Sequence, residues 1–302
     1  MDPITAEFEG ASYAIYGLPK DTFASLYLQG CEMPAKSTQH PHHKTKQPSY
    51  PPILFSPALD TSRLLYSAIA QQISSAGYVV VTIDHPYDAD IVTFPDNRTV
   101  LAGNISTDAQ ILLDVDTRAK DISFVLNELT ENENIVTSCG LEKGKVGLFG
   151  HSLGGAAVAT TMLRDHRFAG GINMDGTFWG PVISSGLTRP FMLFAHEGKN
   201  GTNDATWGAI WPKLRGWKKD LMLSDSAHYT FSDFPYLIDV LGIKSQLPVE
   251  VTELVGSIDG KRDIRILGSY IAAFFDFVLR GRKQPMLDGA SAQFPEVSFV
   301  TP

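Results

Sequence analysis

The chain has only two cysteines in 302 residues, Cys31 and Cys139. Two thiols cannot build a disulfide framework, and their spacing fits no metal motif. Whether they pair is left open. Basic charge is scarce as well. Lys and Arg number 25 against 33 Asp and Glu, for a net charge of −8, and no basic stripe runs along the chain. Such a chain repels phosphate backbones, so nucleic acid is not an expected partner. No apolar run reaches the roughly 18 residues that suggest a membrane span. The most apolar stretch, Ile264 to Leu279, is broken by Arg265 and Asp276 and reads as a docked helix. The opening "MDPITAEFEG" is acidic and polar and shows no secretory leader, so the chain reads as cytoplasmic as it stands. Sequons at Asn97, Asn104 and Asn200 leave secretion open if a leader was removed. There is no internal repeat, and composition does not set an oligomeric state.

What is present is globular: 43% hydrophobic and 19% charged residues, enough for a sizeable core. The length is within reach of a single α/β domain spanning 1–302, with an exposed loop at 36–52 and a tail at 281–302. That loop carries His40, His42 and His43 among four prolines. With no nearby carboxylate or thiol, the histidines read as a solvated stretch, and no metal is expected.

Beyond the loop, short apolar runs alternate with helical patterns. Ile53–Pro57, Tyr78–Asp84, Val146–Phe149, Gly170–Asp175, Pro190–His196 and a run ending in "DLMLSDSAH" read as strands. Helices are expected over 61–77, capped by Thr61 or Ser62 and stopped by Gly77, over 117–132, directly after Ser152, over 205–217 with a break at Pro212, and near 264–279. This alternation implies parallel strands with helices on both faces, an α/β fold in which reactive groups gather at the carboxyl ends of the strands.

One junction stands out. "VGLFGHSLGGAAVATTMLRD" runs from a strand through Gly150-His151-Ser152-Leu153-Gly154 into an alanine-rich helix. A nucleophile at so sharp a bend sits in strained backbone, and side chains two residues to either side would collide, hence the glycines. The helix N-terminus turns amide hydrogens toward the hydroxyl. A serine hydroxyl needs a base, and the base needs an orienting acid, in the chain order serine, acid, histidine. Three histidines follow: His166, His196 and His228. His166 is too near in sequence to reach back. His196 ends a strand. His228 follows the last expected strand in "SDSAHYTFSDFP" and is preferred. Position leaves Asp175, Glu197 and Asp204 open as the acid, while Asp225 and Asp233 read as turn residues. The oxyanion donors expected are the backbone N–H of Leu153 and that of Ala58 or Leu59 in "SPALDTSR".

These segments, with "LFSPALDTSRLLYSAIAQQISSAGYVVVTIDHPYDAD", "GINMDGTFWGPV" and "SAHYTFSDFP", resemble the platelet-activating factor acetylhydrolase family of α/β-hydrolases, the plasma-type, calcium-independent phospholipase A2 group. The likeness runs from about Pro52 to about Pro235. It implies Asp175 as the acid, His228 as the base and Leu59 as the second oxyanion donor. Where the family commonly has His-Gly before that leucine, this chain has Pro57-Ala58. The segment before Pro52 leaves room for two edge strands, near Tyr13–Leu18 and Phe23–Leu28, and no interfacial lipid-binding helix is evident.

The expected activity is that of a serine esterase acting on a small or lipid-like ester without metal or cofactor. Tyr87, Phe178 and Trp179 follow strand ends and are candidates to wall an apolar substrate pocket. Acyl transfer, lactonisation, elimination or cyclisation on the same triad is the alternative, and a non-catalytic small-molecule binder the third reading.

Overall fold

Each central strand is covered on both faces, which is why its sequence is apolar without alternation. The computed structural model describes residues 1–27 and 49–300. The first half runs α1 (Pro3–Ala14), β1 (Pro52–Ser56), α2 (Ser67–Ser75), β2 (Val79–Thr82), β3 (Ile91–Thr93), β4 (Thr99–Leu101), α3 (Asp108–Glu131), α4 (Glu133–Ser138) and β5 (Val146–His151). It continues through α5 (Leu153–Arg164), β6 (Phe168–Met174), α6 (Val182–Ser185), β7 (Phe191–Ala195), α7 (Ala205–Ile210) and β8 (Lys218–Leu223). The chain then forms α8 (Phe234–Leu241), α9 (Val249–Val255), α10 (Gly260–Arg280) and β9 (Val297–Phe299).

The main sheet has seven strands in the order β2-β1-β5-β6-β7-β8-β9. All pairings are parallel except that of β9 on β8. A two-stranded antiparallel hairpin, β3-β4, stands apart. Because side chains alternate across a strand, neighbours feed opposite cores. Ile53, Phe55, Phe149, Ile172 and Phe194 pack with Ile69 and Ile73 of α2 and with Tyr270, Phe274 and Phe275 of α10. Leu54, Leu148 and Leu193 pack on the other face with Ile122 and Leu126 of α3 and Val158 and Met162 of α5. The α/β-hydrolase fold expected from the sequence is the fold observed.

Several local readings change. The expected edge strand at 13–18 is absent, and α1 runs into its start instead. Asp2 caps it, accepting from Thr5 N–H at 3.0 Å, and Pro3 sits in the first turn, where a missing N–H costs nothing. In the described part of 23–28 there is only a 3₁₀ turn, Phe23–Ser25. The expected tail contributes an edge strand, β9. The helix expected from 61 begins at Ser67, after a 3₁₀ turn that Ser62 caps. Its first N–H groups are capped across 165 residues of chain, Ala68 N–H donating to Asp233 Oδ2 at 2.8 Å. Asp233 is therefore a buried helix cap rather than a turn residue. The helix expected over 205–217 with a break at Pro212 stops at Ile210, passes into a 3₁₀ turn that holds Pro212, and does not resume. Cys31, His40, His42 and His43 lie outside the described residues.

Candidate active site

Register places the site. Ser56 of β1, Gly150 of β5 and Asn173 of β6 are neighbours across the sheet, so the loops leaving these strands emerge side by side. Ser152 sits between β5 and α5 with φ 54° and ψ −124°, a left-handed conformation that costs an L-residue of order 1–3 kcal/mol. Its N–H donates to Met174 O at 2.8 Å, which holds the bend. The glycines are needed sterically. A Cβ on Gly154 would lie 2.1 Å from Ser56 O, and one on Gly150 would lie 2.5 Å from the Gly154 carbonyl carbon.

Ser152 Oγ stands 2.9 Å from His228 Nε2. His228 opens a 3₁₀ turn in the loop after β8, and its Nδ1–H donates to Asp175 Oδ2. Asp175 is the first residue after β6 and is buried. Its other oxygen, Oδ1, accepts from His196 Nδ1 at 2.7 Å and from His196 N–H at 3.1 Å. Burial alone would raise this carboxyl. The hydrogen bonds from His196 and His228, with the nearby Lys199 ammonium, outweigh it and hold Asp175 well below the usual carboxylate range. Lys199 Nζ donates to Asp175 O at 2.7 Å and lies 3.4 Å from Asp204 Oδ2.

The loop after β1 is held by groups that composition does not advertise. Arg118, in the middle of α3 and 0% exposed, donates to Pro57 O at 2.6 Å and to Ala58 O at 3.3 Å. Its charge is met by Asp88, and by Asp114 at 3.1 Å. Thr61 Oγ1 donates to Leu59 O at 3.0 Å. Ala58 N–H donates to Tyr66 Oη at 3.2 Å, which leaves the N–H of Leu59, with that of Leu153, free of any partner among the described residues. Tyr66 Oη in turn donates to His151 Nδ1 at 2.9 Å, and His151 Nε2–H donates to the backbone carbonyl of His228 at 2.8 Å. Burial, reinforced by the neighbouring His228, pushes His151 well below its ordinary value, so it is the neutral tautomer that this pairing requires. One relay thus ties the β1 loop, the elbow and the His228 loop together. Tyr66→Phe strands Ala58 N–H and His151 Nδ1 in a buried setting, a loss of about 1–3 kcal/mol. The expected result is a fall in kcat of about tenfold with KM little changed. Steady-state kinetics on a short-chain ester checks it, and an unaltered kcat would remove the relay from the account.

The structure thus brings together Ser152, His228, Asp175 and the loops bearing Leu59 and Leu153. Glu197 points elsewhere, its Oε2 accepting from Asp225 N–H at 2.7 Å. Asp204 caps α7. His196, the alternative base, sits on the far oxygen of the same carboxylate. Of the three expected pocket walls, Trp179 packs beside Leu59 and Leu153. Phe178 does not wall a pocket: it is 1% exposed, in the core against Phe191 and Trp207. Tyr87 is 67% exposed, in left-handed backbone at φ 72°. Sequence reasoning missed Arg118, Tyr66, Lys199 and the role of His151. Only the last had a signal, its place inside the glycine motif. Asp175, His196 and His228 are also the one group among the described residues whose potential metal-ligating atoms lie within 4.8 Å of one another. Both Asp175 oxygens are already taken by imidazole hydrogens, so the three groups close on one another through protons.

A parallel sheet with a strained serine at the β5–α5 turn, and an acid and a histidine on the loops after β6 and β8, defines a member of the α/β-hydrolase class. The model of the family described as platelet-activating factor acetylhydrolase, isoform II, matches residues 18–104 and 102–280. The chain belongs to that family. It is 36% identical over 263 residues to a probable 1-alkyl-2-acetylglycerophosphocholine esterase of Arthroderma benhamiae, covering 83% of this chain and 66% of that protein. It is 26% identical over 234 residues to the platelet-activating factor acetylhydrolase of Cavia porcellus, covering 67% of this chain and 54% of that one. The chain therefore spans just under two-thirds or less of the length of these curated relatives. Among solved structures, a ferulic acid esterase from Streptomyces cinnamoneus superposes with a TM-score of 0.76 at 34% identity, covering 84% of this chain and 74% of that one. Among the described residues no helix is long and apolar enough to cross a membrane.

Proposed function

We propose that the chain is a serine ester hydrolase. Ser152 Oγ attacks the ester carbonyl as His228 Nε2 takes its proton, and Asp175 supports the resulting imidazolium. The N–H groups of Leu59 and Leu153 receive the oxyanion. His228 then protonates the departing alcohol. A water, giving its proton to His228, attacks the acyl-serine, and the acid leaves as Ser152 is reprotonated. No step calls for a metal or cofactor. The observation that carries this reading is the 2.9 Å contact from Ser152 Oγ to His228 Nε2 with Asp175 behind the ring. The esterase names of the relatives support it. The test is labelling with a fluorophosphonate, read by mass spectrometry, beside turnover of a short-chain acetate ester. Label on Ser152 of the folded protein, with ester turnover that Ser152→Ala abolishes, is the expected result. A folded protein that takes no label and turns over no ester overturns the reading in favour of a binder.

A further inference from the structure

Away from the triad the fold holds another chain of serine, histidine and aspartate. Ser56, the last residue of β1, has its Oγ 3.0 Å from His85 Nε2, and His85 Nδ1 lies 2.8 Å from Asp121 Oδ2 on α3. It is not a second active site. Ser56 is 0% exposed and His85 2%, so no ester reaches the hydroxyl. Arg118 fixes where the protons of this array lie. Its Nη1 donates to Ser56 Oγ at 3.2 Å as well as to Pro57 O at 2.6 Å. A guanidinium only donates, so the hydroxyl must turn its own hydrogen to His85 Nε2. That nitrogen therefore carries a lone pair, and Nδ1–H donates to Asp121.

The buried imidazole brackets Leu59. On one side, Ser56 Oγ and Pro57 O share a single Arg118 nitrogen, so a change at the hydroxyl is felt at Pro57 and Ala58. On the other side, His85 O accepts from Asp88 N–H at 3.1 Å and from Ala89 N–H at 2.9 Å, which makes the turn that carries Asp88. Asp88 O accepts from Asp60 N–H at 3.1 Å, and its carboxylate grips Arg118. The residues before and after Leu59 are thus both tied to His85.

The charged groups that face the ring are Asp121 and Arg118 from α3 and Asp88 from its own turn, while β1 brings the neutral Ser56 hydroxyl. Burial, with the Arg118 charge, lowers His85 against the pull of Asp121 and Asp88, which favours the neutral ring that this pairing requires. Asp121 is partly exposed, so protons of the medium reach the ring along its edge. A proton added at Nε2 turns an acceptor into a donor. Ser56 Oγ then meets two N–H donors, and its own hydrogen loses its acceptor in a buried place.

We propose that His85 is a positioning residue of the reaction: through Ser56 and Arg118 its unprotonated Nε2 holds the loop that presents Leu59 N–H to the oxyanion, and a proton on that nitrogen slackens the loop and lowers turnover. The proposal rests on the esterase reading above.

The test uses the full chain and a short-chain acetate ester, with kcat and KM measured from pH 5 to pH 9 wherever circular dichroism shows the fold intact. Glutamine places an amide oxygen where Nε2 stands and takes up no proton there, whereas asparagine reaches only the Nδ1 position. At pH 8, His85→Gln is expected to keep kcat within about threefold of native, while His85→Asn lowers it about tenfold with KM little changed, less than the loss of an oxyanion donor outright. Protonation of His228 alone gives the acid limb of log kcat against pH a slope of about one, and a second proton at His85 steepens it toward about two. The native chain is expected to show the steeper limb and His85→Gln the shallower one. Should His85→Asn not fold, Ser56→Ala, which deletes only the hydroxyl, is expected to lower kcat in the same sense and to give the shallower limb. A native kcat in His85→Asn or Ser56→Ala, equal losses in His85→Asn and His85→Gln, or a native slope in His85→Gln would overturn the role of His85 alone. No turnover of the ester by the native chain would overturn the esterase reading, and this role with it.

Discussion

Asp175→Asn lowers kcat by about four orders of magnitude while KM stays within a few fold. The reason lies in the two faces of this carboxylate. Oδ1 accepts from two donors, the N–H and the ring Nδ1 of His196, at 3.1 and 2.7 Å. An asparagine keeps its carbonyl oxygen toward those donors and must turn its NH2 toward His228 Nδ1. That nitrogen then becomes an acceptor, the proton moves to Nε2, and Nε2 can no longer receive the proton of Ser152. The ring stays in place in the wrong tautomer, so substrate binding survives and chemistry does not. Glu197→Gln is the control, because Glu197 accepts from Asp225 N–H and, among the described residues, makes no hydrogen bond to either imidazole. It is expected to change kcat by less than about threefold. Steady-state kinetics of the two variants checks the pair. The opposite ranking would mean that Glu197 is the acid.

The parts of the site legible in the sequence were those fixed by local sterics. Gly150 and Gly154 mark the elbow because nothing larger fits beside a left-handed serine, and that constraint is written within five residues. The proposed acid was not legible from position. Asp175, Glu197 and Asp204 all follow strand ends, and only the resemblance chose among them. What decides between them physically is which strand-end loop faces His228, a long-range fact. Arg118 was invisible for the same reason. It lies on a helix whose apolar face, Ile122, Val125, Leu126 and Leu129, dominated the pattern, and its partners come from 30 and 61 residues away. The N-terminal helix was misread although Asp2-Pro3 is a start signal, because "SYAIYGLP" favours strand by its aromatic and branched residues. Phe178 was offered as a pocket wall because it follows a strand end, but the chain turns it down into the core under α5 and α7.

Arg118→Leu is expected to destabilise the fold by about 3–5 kcal/mol, the usual result of removing one partner from a buried charge cluster. Its guanidinium is met by Asp88 and Asp114 and donates to Pro57 O and Ala58 O, so one substitution leaves two buried carboxylates and two carbonyls without their donor. In the native protein burial raises Asp88, yet Arg118 holds it below its ordinary value, while burial and Asp88 push Asp114 up to about 7. Without Arg118 the folded-state value of Asp88 rises above the unfolded value of about 4, and that of Asp114, already above it, rises further. A carboxyl raised on folding contributes stability that is present below its unfolded value and is lost as pH climbs through the folded one. The deficit of the variant, measured by denaturant unfolding, therefore grows between pH 5 and pH 8. Adding Asp88→Asn in the same background restores part of it. A deficit below about 1 kcal/mol, or one that is flat with pH, would mean that the cluster does not carry the loop. Folded variant protein also loses activity, because the carbonyls of Pro57 and Ala58 fix the strand-end turn from which Leu59 N–H points. On the proposed reading, a buried arginine on a distant helix thus sets the position of a donor that has no side chain of its own.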